Sequence, residues 1–276
     1  MTLLCCIMDH AMSNLVDENY LREEQYRDSS RLNARYRLHA KFSQNPNPLQ
    51  KWLFSKIGEQ ERLSILDLGC GPGYLWINNL EKIPAKWKIV LSDISPQMLQ
   101  ESRERILHTM DYAMMDIQAL PFARMSFDVI VASFVFHHIP QLKQSISDIR
   151  ERLVGEGKLL AVTSGEAHMC ELKTWMSTFG IESGNWTAES KFTLQNGTEI
   201  LSEYFKRIRV FEYEDSLCIP SVDPIMDYVI SGISDEDVQT LQSNLTELRR
   251  FLEGYLEKKG DIRITKETGV FVAHAG

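Results

Sequence analysis

The sequence is short of cysteine, of basic charge and of long apolar runs. Its five cysteines (Cys5, Cys6, Cys70, Cys170 and Cys218) are odd in number, scattered and without a CxxC pair. That usage excludes a disulfide framework or a cysteine zinc site and predicts a reduced, cytosolic compartment. Lysine and arginine number 30 against 38 aspartates and glutamates, for a formal net charge of −8. Such a surface repels phosphates, which argues against nonspecific nucleic-acid binding. The longest apolar run, "VIVASFVF" from Val129 to Phe136, is far too short to span a bilayer. The opening "MTLLCCIMDHAM" has no basic stretch and Asp9 cuts its apolar run, so it is read as poorly ordered chain rather than a signal peptide. No GK[ST] follows the glycine-rich stretch, which excludes a P-loop.

What the chain does have is 276 residues at 43% hydrophobic and 25% charged, the profile of an ordinary globular protein. The segment from 13 to about 44 is polar and helix-prone and ends at "NPNP", where Pro46 and Pro48 break a helix. A second helix is predicted over roughly Leu49 to Ile57. Short apolar runs then alternate with helical segments: "LSILDLG", "WKIVLSD", "YAMMD", "FDVIVAS" and "GKLLAVTS". The intervening helices are predicted to start near Tyr74, Pro96, Gln141 and Met169. Fully apolar strands at this spacing indicate a parallel sheet covered on both faces.

After Gly184 the pattern changes. "KFTLQNGTEILSEYF" carries an Asn196-Gly197 turn signal, and "FKRIRVFEYED" reads as one strand. In "DPIMDYVISG", Asp223 is the expected N-cap, Pro224 the first helical residue and Gly232 the stop. Ser234 and Asp237 have near capping-box spacing, and Val238, Leu241, Leu245, Leu248, Leu252 and Tyr255 predict one long amphipathic helix. "DIRITKETGVFVAHA" reads as a closing strand.

The glycines of "SILDLGCGPGYLW" are Gly69, Gly71 and Gly73, and Tyr74 stands where a dinucleotide fingerprint needs a small residue, which leans away from NAD and FAD. "ILDLGCGPG" resembles motif I of the class I S-adenosylmethionine (SAM) dependent methyltransferases. "VLSDISPQML", "YAMMDIQALPF", "FDVIVASFVFHHI" and "LVGEGKLLAVTS" follow in that family's order and spacing, from about Leu63 to Ser164. The core is closest to the small-molecule group that includes the ubiquinone and menaquinone enzymes. The flanks "YRDSSRLNARYRLHAKFS" and "SGEAHMCEL" resemble a less characterised bacterial branch.

The resemblance implies a doubly wound, Rossmann-like α/β fold with a mostly parallel seven-stranded sheet, an N-terminal helical cap and a C-terminal helical lid insertion. The corresponding division is 1–57 for the cap, 58–184 for the SAM-binding core and 185–276 for the completed sheet with its lid, in one globular unit. It implies SAM as cofactor and S-adenosylhomocysteine as product. Asp67 would balance the cofactor's positive charge or order the loop formed by Gly69, Cys70, Gly71 and Gly73. Asp93 at the end of the second strand would bind the ribose diol, although a helix N-cap is the alternative role there. Asp116 would accept from the adenine amino group, Ile94 and Ile117 would flank the ring, and Met98 and Ser133 would complete the slot.

Methyl transfer from a sulfonium needs alignment and exclusion of water, and a base only for a protonated nucleophile. His138 is the first candidate base, with His137 and His168 next; each has a turn-fixing role as its alternative. No partner spacing makes a metal site of them. Arg27, Arg31 and Arg35 fall on one helical face, so Arg31 and Arg35 are candidates for an anionic substrate, with Tyr20, Tyr26 and Tyr228 lining its pocket. The predicted activity is methylation of an oxygen, nitrogen or carbon of a small molecule. The alternatives are O-methylation of a carboxylate, including a peptide C-terminus, and SAM binding without turnover. No membrane or nucleic-acid partner is expected.

Overall fold

The computed structural model describes residues 27, 29–106, 110–181 and 191–276. In chain order come α1 (Ser30–Phe42), α2 (Leu49–Phe54), β1 (Ser64–Leu68), α3 (Tyr74–Ile77), β2 (Lys88–Asp93), α4 (Pro96–Arg105) and β3 (Asp111–Met114). Then follow β4 (Phe127–Ser133), α5 (Leu142–Arg152), β5 (Leu153–Ser164), α6 (Cys170–Thr178), α7 (Gly197–Ser202) and β6 (Arg207–Glu212). The last elements are β7 (Asp215–Ile219), α8 (Asp223–Ser231), α9 (Asp235–Thr240), α10 (Gln242–Lys259), β8 (Ile262–Lys266) and β9 (Thr268–His274).

These elements fall into two compact units, each assembled from three stretches of chain. The sheet unit takes the described residues of 47–166, 190–213 and 268–276, and the helical unit those of 1–46, 167–189 and 214–267. The expected boundaries at 57/58 and 184/185 differ from this. Residues 47–57 pack with the sheet, while the segment from Ala167 and all of β7 to β8 join α1.

The sheet unit contains seven strands in the order β3-β2-β1-β4-β5-β9-β6. The first five are parallel; β9 runs antiparallel to both β5 and β6. Alternate residues of the central strands enter two separate cores. Leu66, Leu68, Ile130, Ala132, Leu159 and Ala161 share one with Leu142, Ile146 and Ile149 of α5. Ile65, Val129, Val131, Leu160 and Val162 share the other with Leu53 and Phe54 of α2 and Leu75 and Trp76 of α3. Because side chains alternate across a strand, continuous apolar runs require two covered faces, and the doubly wound sheet supplies them. The edge strands differ: β3 leaves Met114 65% exposed, and β6 turns Arg207 and Arg209 outward, which discourages edge pairing.

Four local readings are corrected. Asn196-Gly197 does not form a hairpin turn but opens α7, where a Cβ on Gly197 would lie 2.5 Å from the Phe271 ring. Asp223 is the first residue of α8 rather than its cap, with Val222 preceding it and Gly232 ending the helix as expected. The long amphipathic helix divides at Leu241 into α9 and α10, while Ser234 Oγ accepts from Asp237 N at 3.1 Å as the capping spacing predicts. Finally, the strand predicted in "FKRIRVFEYED" is β6, with a further strand, β7, following from Asp215, and the predicted closing strand is two, β8 and β9. β7 and β8 pair antiparallel in a ribbon of the helical unit, and β6 and β9 complete the main sheet.

The helical unit has its own apolar core. Leu38 and Phe42 of α1 pack with Leu172 and Met176 of α6, Ile225 and Val229 of α8, Leu248 and Leu252 of α10, and Leu217 and Ile264 of the ribbon.

Candidate functional site

In the sheet unit the glycine loop follows β1 and is drawn tight by its backbone. Gly69, Gly71 and Gly73 all have positive φ, and at Gly73 a Cβ would come within 2.6 Å of Ser102 Oγ and 2.7 Å of Ile106. The third glycine is therefore demanded by packing as well as by φ. The Cys70 amide donates to Ser92 O at 2.8 Å and ties the loop to β2. The helix expected to open at Tyr74 is a single turn, so loop amides rather than a long helix dipole face this end of the sheet.

Two acids frame the loop. Asp67 is 2% exposed, and its Oδ2 accepts from Trp76 Nε1 at 2.7 Å. Its Oδ1 is shielded from solvent and takes no hydrogen bond from the described residues. Burial lifts its pKa to about 7 against the Trp76 bond, with nearby Asp93 adding to the rise. Asp93 ends β2; its Oδ2 accepts from Gly71 N at 2.8 Å and its Oδ1 from Ser95 N at 2.9 Å. The helix cap itself is Ser95, whose Oγ accepts from Met98 N. Asp93 thus braces the loop, with the Ile94 amide as a third backbone donor, and keeps acceptor capacity for one more. Burial also raises its pKa and that of the Cys70 thiol, so Cys70 is a small filler and not a nucleophile.

Asp116 lies two residues beyond β3 and closes its own turn, accepting from Gln118 N at 2.9 Å and Gln118 Nε2 at 3.1 Å. Ile94 is half-buried beside the loop. Ile117 (7% exposed) and Met98 (1%) are interior side chains of the same unit. Ser133 ends β4, and Phe134 after it adopts a left-handed φ of 54°, held by its amide to Val162 O at 3.0 Å. A phenylalanine in that region is strained, and such strain concentrates at functional loops. The following turn carries His137 and His138 with ring centroids 4.0 Å apart, His138 buried and His137 half-buried.

The remaining candidates lie in the helical unit or outside the described residues. Tyr20 and Tyr26 are outside them. Arg31 is corrected from ligand contact to structural tie: its guanidinium donates to Ile233 O and pairs with Asp235 at 2.9 Å. Arg35, four residues on, is half-buried. Tyr228 is 6% exposed and stands edge-on to His39, with centroids 5.5 Å apart. His168 is placed by Met169, whose left-handed backbone is pinned by its amide to Thr265 O at 2.9 Å. The His168 Nδ1 accepts from Glu267 N at 3.2 Å, and burial beside Lys266 and Lys173 drives its pKa down to about 3. It is therefore a neutral imidazole with its proton on Nε2, a donor rather than a base. Among the described residues no group of three metal-ligating side chains comes together.

Comparison with known proteins adds the decisive observation. Residues 65–157 match the methyltransferase domain family. Over this stretch the chain carries a class I SAM-dependent methyltransferase domain. It is 30% identical over 109 residues to the ubiquinone/menaquinone biosynthesis C-methyltransferase UbiE of Methylococcus capsulatus, covering 38% of this chain and 44% of that protein. It is 25% identical over 253 residues to malonyl-[acyl-carrier protein] O-methyltransferase 1 of Ilyobacter polytropus, covering 87% of this chain and 91% of that one. The chain thus spans under half the length of the first relative and nearly all of the second. The fold is that of the Haemonchus contortus phosphoethanolamine N-methyltransferase 2 solved with SAM, with a TM-score of 0.51 at 17% identity over 82% of this chain and 51% of that one.

The methyltransferase slot fits SAM on its own terms. The cofactor carries an ammonium, and Asp67 Oδ1 is a buried carboxylate oxygen with no donor among the described residues. It carries a ribose diol, and the Asp93 carboxylate, with backbone donors at Gly71, Ser95 and Ile94, has acceptor capacity for one more. Sequence reasoning missed Trp76 as the partner that orients Asp67, although an indole nine residues on was visible. It missed the Phe134 strain, for which no residue-type signal exists.

Proposed function

We propose that the protein transfers the methyl group of SAM to an oxygen of a small acidic molecule, the carboxylate. SAM supplies a methyl on a positively charged sulfur, a good leaving group. Asp67 holds the ammonium end, Asp93 the ribose, and the Asp93-braced loop fixes both. The observation that carries the choice of acceptor is His168, a candidate base whose one ring lone pair, on Nδ1, is already taken by a backbone amide. An acceptor that arrives ionised needs alignment and no base. The relative aligned over 87% of this chain is named for O-methylation, and the relative named for C-methylation aligns over 38%. The free thiols at Cys70, Cys170 and Cys218 and the acidic composition support action in the cytosol on a small molecule rather than on nucleic acid. Among the described residues no helix is long and apolar enough to cross a membrane.

The test is incubation of the full chain with methyl-labelled SAM and panels of carboxylic acids, phenols and amines, with products read by mass spectrometry. A methyl ester formed at near wild-type rate by the H137Q/H138Q double variant is the expected result, with S-adenosylhomocysteine binding confirming that the variant is folded. Transfer confined to phenols or amines, or abolished in that folded variant, overturns the reading.

A further inference from the structure

Asp67 and the residues that hold it all belong to the sheet unit. Its partner Trp76 is fully buried and shares a core with Ile65, Val129 and Val131. The Phe54 ring of α2 stands edge-on to the indole, with centroids 6.3 Å apart. Asn79, just past α3, fastens the two helices together: its Nδ2 donates to Leu75 O at 2.7 Å and to Gln50 O at 3.1 Å. The Trp76 amide donates to Gly73 O at 3.0 Å, which ties the residue to the glycine loop. From this fixed position its Nε1–H reaches Asp67 Oδ2 at 2.7 Å.

The pair is more than a satisfied indole. A buried indole N–H needs only a neutral carbonyl, and Trp87 Nε1 has one in Gln60 O at 2.8 Å. Trp76 has a carboxyl group instead, although burying a charge costs far more than burying a carbonyl. The second oxygen, Oδ1, is shielded from solvent and takes no hydrogen bond from the described residues. A single donor on Oδ2 orients the carboxyl and leaves Oδ1 for another partner. The titratable groups that act on Asp67 are Asp93 at the end of β2 and the Cys70 thiol of the loop, while β4 sets Val131 opposite it. Neither group is a cation. Against burial and Asp93, the Trp76 N–H is what favours the ionised form among the described residues.

We propose that Trp76 is a positioning residue for the methyl donor: its N–H aims Asp67 Oδ1 at the cofactor's ammonium and sets the pH range in which the cofactor binds. The inference rests on the reading of Asp67 as the ammonium's partner. Only the ionised carboxylate pairs with that ammonium, so affinity rises as pH climbs through the Asp67 titration and levels off above it. Because a hydrogen bond favours the charged acceptor over the neutral one, removing the N–H moves that rise up by about one pH unit. Above both titrations Asp67 is ionised with or without Trp76, and affinity is the same. A Trp76 that served packing alone would weaken binding equally at every pH, or not at all.

The experiment is calorimetric titration of the full chain with S-adenosylhomocysteine across a pH range that brackets the Asp67 value of about 7. W76F, which keeps an aromatic ring and removes the donor, is compared with wild type at each pH, so that the ligand's own ionisation cancels. The expected result is binding about tenfold weaker for W76F near pH 6 and within about twofold of wild type near pH 9. D67N and D67N/W76F should show no such pH-dependent difference. Where W76F does not fold, ¹⁵N-tryptophan labelling of the wild type reads the same contact by NMR. The Trp76 indole N–H should titrate together with the affinity, and that titration should vanish in D67N. A W76F deficit that is uniform across pH, a folded W76F that binds like wild type throughout, or an indole resonance that does not follow the affinity overturns the proposal and leaves the Asp67 reading intact. Wild-type affinity that is flat across this range, with D67N binding equally well, sinks the Asp67 reading and this inference with it.

Discussion

Replacing Asp67 by asparagine separates what the carboxylate does for the fold from what it does for the ligand. The pKa of Asp67 is raised from an ordinary 3.8 to about 7 by burial. At about 1.4 kcal/mol per pH unit, ionising it at pH 8 costs the folded chain about 4 kcal/mol. Asparagine keeps an acceptor for Trp76 Nε1–H but puts an amide nitrogen where Oδ1 has no donor, a loss of about 1–3 kcal/mol. The remainder is a net gain of about 1–3 kcal/mol, or a rise in Tm of about 2–10 °C for a protein of this size. The sign with pH follows from the direction of the shift. A carboxyl with a raised folded-state pKa contributes its stability fully below about 3.8 and loses it as pH climbs to about 7. The advantage of D67N over wild type should therefore be largest at pH 8 and shrink by about 1.4 kcal/mol per unit as pH falls below 7. Binding should move the opposite way. Loss of the charged partner for the cofactor ammonium weakens S-adenosylhomocysteine by about 1.5–3 kcal/mol, about 10- to 150-fold. Thermal unfolding of the ligand-free protein across pH, paired with calorimetric titration of the ligand, reads both quantities. A D67N protein that is less stable at pH 8, or that binds the ligand like wild type, refutes the assignment of Asp67.

Three further outcomes are expected. D93A should weaken S-adenosylhomocysteine by about tenfold or more in the same calorimetry, because it removes a charged acceptor and releases the Gly71 and Ser95 amides that shape the loop. G73A should cost about 2–4 kcal/mol in urea unfolding, from its φ of 79° and the clash with Ser102 and Ile106, and should weaken the ligand as the loop is displaced. K266M should destabilise the protein by about 3 kcal/mol in the same measurement, the low end for breaking a buried pair, because Asp215 retains four other donors.

What the sequence determined by itself was local in origin. Four of the five apolar runs specified strands covered on both faces, since such a run leaves no solvent face, whereas "YAMMD" became the edge strand β3 with Met114 65% exposed. The glycine loop with Asp67 and Asp93 at neighbouring strand ends was legible because its parts lie within 30 residues and each is fixed by backbone geometry. The tertiary structure decided what depends on distant partners. "DIRITKETGVFVAHA" looks like one strand, yet Ile262–Lys266 pairs with β7 and Thr268–His274 with β5 and β6, because each half finds unpaired backbone in a different unit. The arginine stripe looked uniform, but Arg31 meets Ile233 and Asp235 some 200 residues away while Arg35 Nε donates to Arg31 O within its own helix. Nothing in a linear pattern joins Asp215 to Lys266 or His39 to His168. Those pairings come from burial and long-range packing, which also set how readily each group gives up or takes a proton.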